Sequence, residues 1–159
     1  MKDVYKRQVY DMNDIKIRKL TEKDVSAFEA LLLLFNHTFQ EERALSDTTR
    51  LSALLKDTRF IVMAAFSGEE ILGGLTAYEL LQYYGNETEI FLYDMAVHPD
   101  HQRKGIGKQL LEFLKDYCAK NKINTFFVLA HEEDTHALEF YHSTGGQREH
   151  VANFIYEIE

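Results

Sequence analysis

Apolar and polar positions along the chain follow two different periods, which together predict the order of its elements. Two-residue alternation and unbroken apolar runs of strand length indicate strands, whereas apolar residues three and four apart indicate helices. The predicted strands cover residues 15–17, 60–66, 71–81, 89–97, 123–130 and 151–158. Apolar stripes at helical spacing fall within residues 25–35, 51–55, 106–117 and 135–144. The order βααβββαβαβ predicts an α/β (α+β) fold, with helices on both faces of a mixed central β-sheet.

Size and charge narrow the class of protein. The 159 residues, 45% of them hydrophobic, fit one domain with a sizeable core. The formal net charge of −8 argues against a nucleic-acid or anionic-membrane surface and would suit a cationic small molecule. The longest apolar run is too short to span a bilayer, and residues 1–13 lack the apolar core of a secretory signal. We therefore expect a cytoplasmic protein with a single domain over residues 14–159, after a leader that is disordered or non-native.

A glycine-containing loop precedes the third helix, in the stretch HQRKGIGKQLLEFLKDY. A helix N-terminus offers free backbone N–H groups and the positive end of the helix dipole, which suit an anion such as phosphate. Gly105 and Gly107 let the backbone approach such a group, and neighbouring cations add positive charge. The loop is neither a Walker motif nor a dinucleotide fingerprint, because GK[ST] and the third glycine are missing. The alternative is an ordinary basic turn at the start of a helix.

Two further motifs accompany this loop. QRKGIG matches the Q/R-x-x-G-x-G/A pyrophosphate loop of the GNAT N-acetyltransferases, and the preceding YDMAVHPDH looks like their acetyl-CoA-binding strand. DTHALEFYHSTGG resembles their Asn/Asp-x-x-Ala-x-x-x-Tyr helix before a glycine. The similarity runs from about residue 15 to residue 158. Within the family, the chain is most similar to the aminoglycoside 3-N-acetyltransferases, which carry a similar E-I-x-x-YD-x-AV strand.

The resemblance implies a GNAT fold and acetyl-CoA as acetyl donor, with CoA as product. By likeness, backbone groups of Met95 and Val97 bind the pantetheine and the reacting oxygen, and the loop amides from Gln102 to Lys108 bind the pyrophosphate. Asp134 stands at the family's Asn position and is expected to place the cofactor arm. The residues assigned to the cofactor are Met95, Ala96, Val97, Gln102, Arg103, Lys104, Gly105, Ile106, Gly107, Lys108, Asp134, Ala137 and Tyr141.

Family membership also implies direct attack of a neutral amine in a ternary complex, which calls for a base and an acid. Asp94 is the first candidate for the base, since a carboxylate inside the apolar run IFLYDMAV is either paired or functional. The alternative is a buried aspartate satisfied by backbone amides. Glu89 could act through water or bind a second ammonium group, although strict alternation places it opposite Asp94 unless a bulge intervenes. By likeness, Tyr141 is the acid for the leaving thiolate; the alternative is a core tyrosine.

The implied substrate is an aminoglycoside antibiotic, acetylated at its 3-amino group, with resistance as the consequence. Several ammonium groups call for several acids. The expected substrate contacts are Tyr93, Asp94, Glu89 and Glu133. Further candidates on loops are Glu41, Glu42, Glu87 and Glu132, each of which is otherwise a solvated surface charge. The last strand departs from the resembled group, because Ile155 stands where an acid is expected and only Glu157 could compensate.

Other functions and partners remain open. The acceptor could be another amine, such as a polyamine or a peptide α-amine, or the protein could be a non-catalytic acyl-CoA-binding module. No nucleic-acid or membrane partner is expected, and a homodimer is a further hypothesis.

Histidines and the single cysteine complete the candidate chemistry. No metal is expected, because the pairs His98 with His101 and His131 with His136 lie outside any HExxH or Cys/His pattern. His98 and His101 are expected at the surface. His131, at the end of a predicted strand, is a secondary acid–base candidate. Cys118 lies in a helical pattern and is expected to pack in the core.

Overall fold

The structure is a computed structural model that describes residues 14–158. The predicted leader, residues 1–13, lies outside the described residues. The chain divides into two compact units, the first ending at Val128 and the second beginning at Leu129. The single domain over residues 14–159 stays a prediction.

The first unit is a five-stranded mixed sheet with three helices. The strands are β1 (Ile15–Lys19), β2 (Phe60–Ser67), β3 (Glu70–Leu81), β4 (Thr88–Val97) and β5 (Thr125–Val128), and they lie side by side in that order. The first four strands pair antiparallel, and β5 runs parallel to β4. The helices are α1 (Val25–Phe39), α2 (Thr48–Lys56) and α3 (Ile106–Lys120), and the second unit contains α4 (Thr135–Ser143). The predicted fold class is confirmed.

Helices cover both faces of the sheet. Leu31 of α1 packs on the face at Gly74, whereas Tyr117 of α3 donates a hydrogen bond of 2.5 Å to Glu79. Positions 74 and 79 are an odd number of residues apart on β3, so they face opposite sides. Cys118 is buried, as expected. Among the helices of the described region, none combines the length and apolar character needed to cross a membrane.

The predicted last strand over residues 151–158 is wrong. These residues form no regular secondary structure, and their large apolar side chains are exposed, including Ile155 at 82%. The β-branched and aromatic residues of this segment favour a strand, but only pairing with a neighbouring strand satisfies its backbone groups. The described residues show no such pairing here. β5 is also shorter than the predicted strand over residues 123–130. Neither Ile155 nor Glu157 therefore has the strand position that the sequence predicted.

Gly73 and Gly74 mark a close backbone approach in β3. A Cβ on Gly73 would lie 2.7 Å from the carbonyl oxygen of Ala96 in β4. A Cβ on Gly74 would lie 2.6 Å from the carbonyl oxygen of Met63 and 2.7 Å from Cδ1 of Leu31. The missing side chain at Gly74 is therefore what lets α1 pack this closely on the sheet.

Gly74→Ala is expected to lower the free energy of unfolding by about 1–3 kcal/mol, because the added methyl group overlaps backbone atoms. Denaturant unfolding measures the loss. Gly68→Asn is the control, since Gly68 has a φ of 59° in open space and asparagine tolerates that conformation. Its free energy of unfolding should change by less than about 0.5 kcal/mol. Equal losses in the two variants would contradict the steric explanation.

Candidate active site

A β-bulge in β4 sets the geometry of the candidate site. Thr76 of β3 pairs with Asp94, and the next residue of β3, Ala77, pairs with Leu92. Tyr93 is therefore the extra residue of the bulge. A residue inserted between two pairs shifts the alternation of the strand by one position, so the side chains before and after it exchange faces.

The bulge brings Asp94 and Glu89 to the same face of the sheet. Glu89 pairs with Leu80, and Asp94 pairs with Thr76, two β3 residues that are four apart and share a face. A bulge does lie between the two acids, and it places their side chains on the same face as the sequence allowed. Four strand residues separate the two acids by roughly 13 Å. Gln82 donates a hydrogen bond of 2.6 Å to Oε1 of Glu89.

Asp94 is a half-buried carboxyl group with one cationic neighbour. Its side chain is 25% exposed, and Nη1 of Arg43 lies 3.9 Å from its Oδ2. Arg43 belongs to the loop between α1 and α2 and also pairs with Glu41. Burial raises the pKa of Asp94 above its usual value; the charge of Arg43 opposes the rise, and that of Glu41 adds to it. The net upward shift favours proton uptake, as the base for a substrate ammonium requires.

An aromatic strip, defined as Tyr78, Phe91, Tyr93 and Phe127, lies beside the two carboxyl groups. The rings of Phe91 and Phe127 stack with centroids 4.9 Å apart. The Tyr93 ring makes edge contacts with Tyr78 at 5.7 Å and with Phe91 at 5.4 Å. Tyr93 is 54% exposed in the structure. An open aromatic surface between two acids suits a ligand that combines apolar ring faces with ammonium groups.

β4 extends beyond its pairing with β5. The parallel pairing ends at Leu92 and Val128, whereas β4 continues to Val97 in contact with β3. Among the described strands, none pairs with this final part of β4 on the β5 side, so its backbone groups there have no strand partner. Met95 and Ala96, two predicted cofactor residues, lie in this part. The carbonyl oxygen of Val97 accepts a hydrogen bond of 3.0 Å from Nε2 of Gln102.

The loop before α3 has the backbone conformation of an anion site. Arg103 has a φ of 61° and Gly105 a φ of 81°. A left-handed conformation costs a residue other than glycine roughly 1–2 kcal/mol, and such strain is typical of functional loops. Gly105 is the N-cap of α3 and has no side chain to cap it. The amides of residues 106–108 therefore have no acceptor within the helix, and they fit a phosphate group.

Two other predicted cofactor residues brace this loop. Gln102 binds the end of β4, and Nζ of Lys104 donates a hydrogen bond of 2.9 Å to the carbonyl oxygen of Asp100. Lys108 lies in the first turn of α3, where its charge adds to the dipole at the helix N-terminus. The loop residues from 102 to 108 thus lie together as predicted, although their binding of a cofactor stays a prediction.

His101 is buried, so its predicted surface position is wrong. A 3₁₀ turn over Pro99–His101 folds the chain back, and the amide of His101 donates a hydrogen bond of 2.8 Å to the carbonyl oxygen of His98. The His98 ring lies between the rings of His101 and His37, at 5.7 and 5.4 Å. Burial is the main cause that lowers the pKa of His101. In the described part of the chain, no three His, Cys, Asp or Glu residues are arranged to hold a metal ion.

The second unit carries the remaining predicted residues on and around α4. Asp134 caps this helix, since its Oδ1 accepts a hydrogen bond of 2.9 Å from the amide of Ala137. Tyr141 is half-buried, with its ring 5.2 Å from that of Phe140 in an edge contact. Glu133 is exposed. The cofactor, acid and substrate roles of these residues stay predictions, and the cap gives Asp134 a structural role as well.

Arg43 and Tyr78 are neighbours of Asp94 that the sequence did not predict. An acid inside an apolar strand implies a partner, but the order of residues does not say which cation will reach it. Arg43 comes from a loop far from β4 in sequence, and the acidic EER context offered only a weak hint. Tyr78 lies in a correctly predicted strand, and its contact with Tyr93 depends on the register that the bulge creates.

Residues 26–145 match the acetyltransferase (GNAT) family, and the chain belongs to that family. An aminoglycoside acetyltransferase from an uncultured soil metagenomic sample, meta-AAC0020, is 35% identical. The superposition on its trehalose complex covers 93% of this chain and 99% of that chain, with a TM-score of 0.90. The same enzyme has also been solved in complex with sisomicin. A second aminoglycoside acetyltransferase, HMB0005, also comes from an uncultured soil metagenomic sample and is 33% identical. Its superposition covers 91% of this chain and 99% of that chain, with a TM-score of 0.87.

A different acceptor appears among the curated relatives. The ribosomal protein bS18-alanine N-acetyltransferase of Escherichia coli (strain K12) is 33% identical over 73 residues, which are 46% of this chain and 48% of that protein. The chain therefore matches about half the length of this relative.

Proposed function

We propose that the protein transfers an acetyl group from acetyl-CoA to the 3-amino group of an aminoglycoside, and that this reaction confers antibiotic resistance. The likeness over 93% of the chain, at 35% identity, to an aminoglycoside acetyltransferase carries the proposal. The half-buried Asp94 beside an open aromatic surface supports it, because such a site suits an amine on a sugar ring. We place the reaction in the cytoplasm, in line with the sequence, and a homodimer stays a prediction.

Each part of the proposed reaction has residues suited to it. Acetyl-CoA supplies an activated acetyl thioester when bound. The amides of residues 106–108 and the dipole of α3 bind the pyrophosphate, and the backbone of Met95 and Val97 binds the pantetheine and stabilises the reacting oxygen. Asp94 accepts the proton of the substrate ammonium so that the neutral amine can attack. Tyr141 is the proposed proton donor to the leaving sulfur.

The same face suits a substrate with more than one charge. Asp94 takes the reacting amine, and Glu89, roughly 13 Å away along the strand, takes a second ammonium group. The aromatic strip lies beside both acids and contacts the ring faces between these ammonium groups. Glu41 adds negative charge near Asp94, and Glu133 stays a predicted substrate contact. This arrangement favours a cationic amino sugar over an acceptor with one amine.

Glu89→Gln is expected to raise KM for gentamicin about three- to tenfold and to leave kcat nearly unchanged, because an ammonium contact at a half-exposed carboxylate is lost. The effect should be absent for an acceptor with a single amine. Steady-state kinetics measures both constants. Glu69→Gln, in the exposed turn between β2 and β3, is the control and should match the wild type. An equal rise in KM for the single-amine acceptor would contradict a second ammonium site.

The proposed function is tested by thiol release from acetyl-CoA with a panel of acceptors. Turnover with gentamicin, and a product acetylated at N3 by NMR, is the expected result. Turnover with an alanine-terminated peptide but no aminoglycoside would select the second candidate, a peptide α-amine, which the bS18-alanine relative favours. Turnover with spermidine alone would select a polyamine. Binding of acetyl-CoA with no turnover on any amine would select the non-catalytic module.

A further inference from the structure

Arg43 occupies a position beside Asp94 that a substrate cation would also need. Its guanidinium lies between two carboxylates, with Nη1 3.9 Å from Oδ2 of Asp94 and Nη2 paired with Glu41. The Arg43 side chain is 56% exposed, whereas that of Asp94 is 25% exposed. The cation therefore reaches a half-buried acid from the solvent side, which is the direction from which a substrate amine must approach.

The position of Arg43 is fixed by its loop. The side chain of Asn36, in α1, donates a hydrogen bond of 2.8 Å to the carbonyl oxygen of Arg43. The carbonyl oxygen of Asn36 accepts one of 2.9 Å from the amide of Glu41, and Gln40 ends the helix with a φ of 56°. These contacts hold the backbone of the loop against α1. The guanidinium, already paired with Glu41, can then move away from Asp94 through side-chain rotation alone.

The charges around Asp94 allow such a movement. Glu41, Arg43 and Asp94 together carry a net charge of about −1 when all are ionised. Burial raises the pKa of Tyr78, which also faces Asp94, so that this phenol adds no charge near pH 7. If Arg43 stayed beside Asp94, it would repel an arriving ammonium group. If it withdrew from Asp94 and kept its pair with Glu41, Asp94 would be left with an unpaired charge that the ammonium group neutralises.

We propose that Arg43 is a positioning residue: it acts as the resident counter-ion of Asp94 and, still paired with Glu41, withdraws from Asp94 when the substrate ammonium takes its place. The inference rests on the proposed function, since it concerns the same acceptor site. The charge of Arg43 favours the ionised form of Asp94 in the free protein and opposes the effect of burial. A substrate cation must then compete with Arg43 for Asp94. Arg43 therefore limits affinity for cationic acceptors and extends activity to lower pH.

Arg43→Gln is the variant that tests this role, because it removes the charge and keeps a polar side chain of similar reach. At pH 8 and low ionic strength, the Kd for gentamicin with CoA present should fall about two- to fivefold. The acidic limb of kcat/KM should move to higher pH, since the counter-ion that lowers the pKa of Asp94 is gone. Arg43→Lys, which keeps the charge, should restore both properties towards those of the wild type.

Calorimetry with gentamicin, and with spermidine as a second cation, measures affinity without turnover. Arg59→Gln, an exposed arginine paired with Asp57, is the matched control and should leave affinity and the pH profile unchanged. Weaker gentamicin binding by Arg43→Gln, or no change in both affinity and the acidic limb, would overturn the inference. If the wild type binds gentamicin without acetylating it, the proposed function fails, and the affinity comparison still decides the role of Arg43. If neither cation binds, both proposals are overturned.

Discussion

Asp94→Asn is expected to lower kcat/KM for gentamicin by about 10²- to 10⁴-fold. The amide keeps the size of the side chain and its place next to the bulge, but it cannot accept a proton from the substrate ammonium. Thiol release from acetyl-CoA measures the loss. Asp116→Asn, at an exposed position of α3, is the control and should leave kcat/KM unchanged. A loss of less than about tenfold would exclude Asp94 as the base, leaving Glu89 acting through water.

The same substitution is expected to stabilise the fold at pH 7. Burial raises the pKa of Asp94, so the folded protein retains this proton at pH values at which the unfolded chain has released it. The free energy of unfolding therefore falls as the pH rises from the usual aspartate pKa to the raised one, and it stays lower above that range. Asp94→Asn avoids this cost. Its advantage at pH 7 should vanish as the pH falls below the usual aspartate pKa.

Denaturant unfolding of the wild type and Asp94→Asn at pH 7 and near pH 3 measures this difference. Asp116→Asn again serves as the control, and it should show no comparable gain. A variant that is less stable than the wild type at pH 7 would show that the attraction of Arg43 outweighs the cost of burying Asp94. Together with the kinetics, a stabilised but inactive variant would separate the role of Asp94 in the reaction from any role in the fold.

The elements predicted correctly are those in which a local pattern and its packing agree. The apolar runs of β2 and β4 and the stripe of α3 are long enough to define a strand or a helix without knowledge of their partners. The segment 151–158 shows the limit, because its β-branched and aromatic residues favour a strand, yet pairing is a property of two segments and not of one. His101 shows the same limit, because its burial depends on the 3₁₀ turn and not on a pattern in the sequence.

The sequence alone predicts the glycine loop of the candidate site. It predicts only part of the acceptor side, which carries Asp94 and Glu89. The glycine loop is contiguous in sequence, so its residues necessarily lie together. The acceptor side depends on the bulge at Tyr93, which has no signature of its own in YDMAV, and on a loop that brings Arg43 to Asp94. The sequence left both Asp94 and Glu89 as candidates, because a bulge between them would bring their side chains to the same face of the sheet. No local pattern could have supplied the register itself.

Gly105→Val is expected to raise KM for acetyl-CoA about ten- to hundredfold. Gly105 has a φ of 81°, a conformation that a β-branched residue strongly disfavours. The loop must change its conformation to relieve this strain, and the amides of residues 106–108 then no longer point at one phosphate group. Each hydrogen bond to a charged group contributes about 1.5–3 kcal/mol, and losing one corresponds to at least a tenfold change in affinity.

Gly68→Val separates the cofactor effect from backbone strain. Gly68 also has a left-handed φ, 59°, but it lies in the turn between β2 and β3, with no atom within 4 Å of an added Cβ. Both variants should lose stability in denaturant unfolding, because both force valine into the same region of φ. Only Gly105→Val should lose affinity for acetyl-CoA in steady-state kinetics and for CoA in calorimetry. Equal affinities in the two variants would mean that the loop is only the start of a helix, and the phosphate site would have to be sought elsewhere.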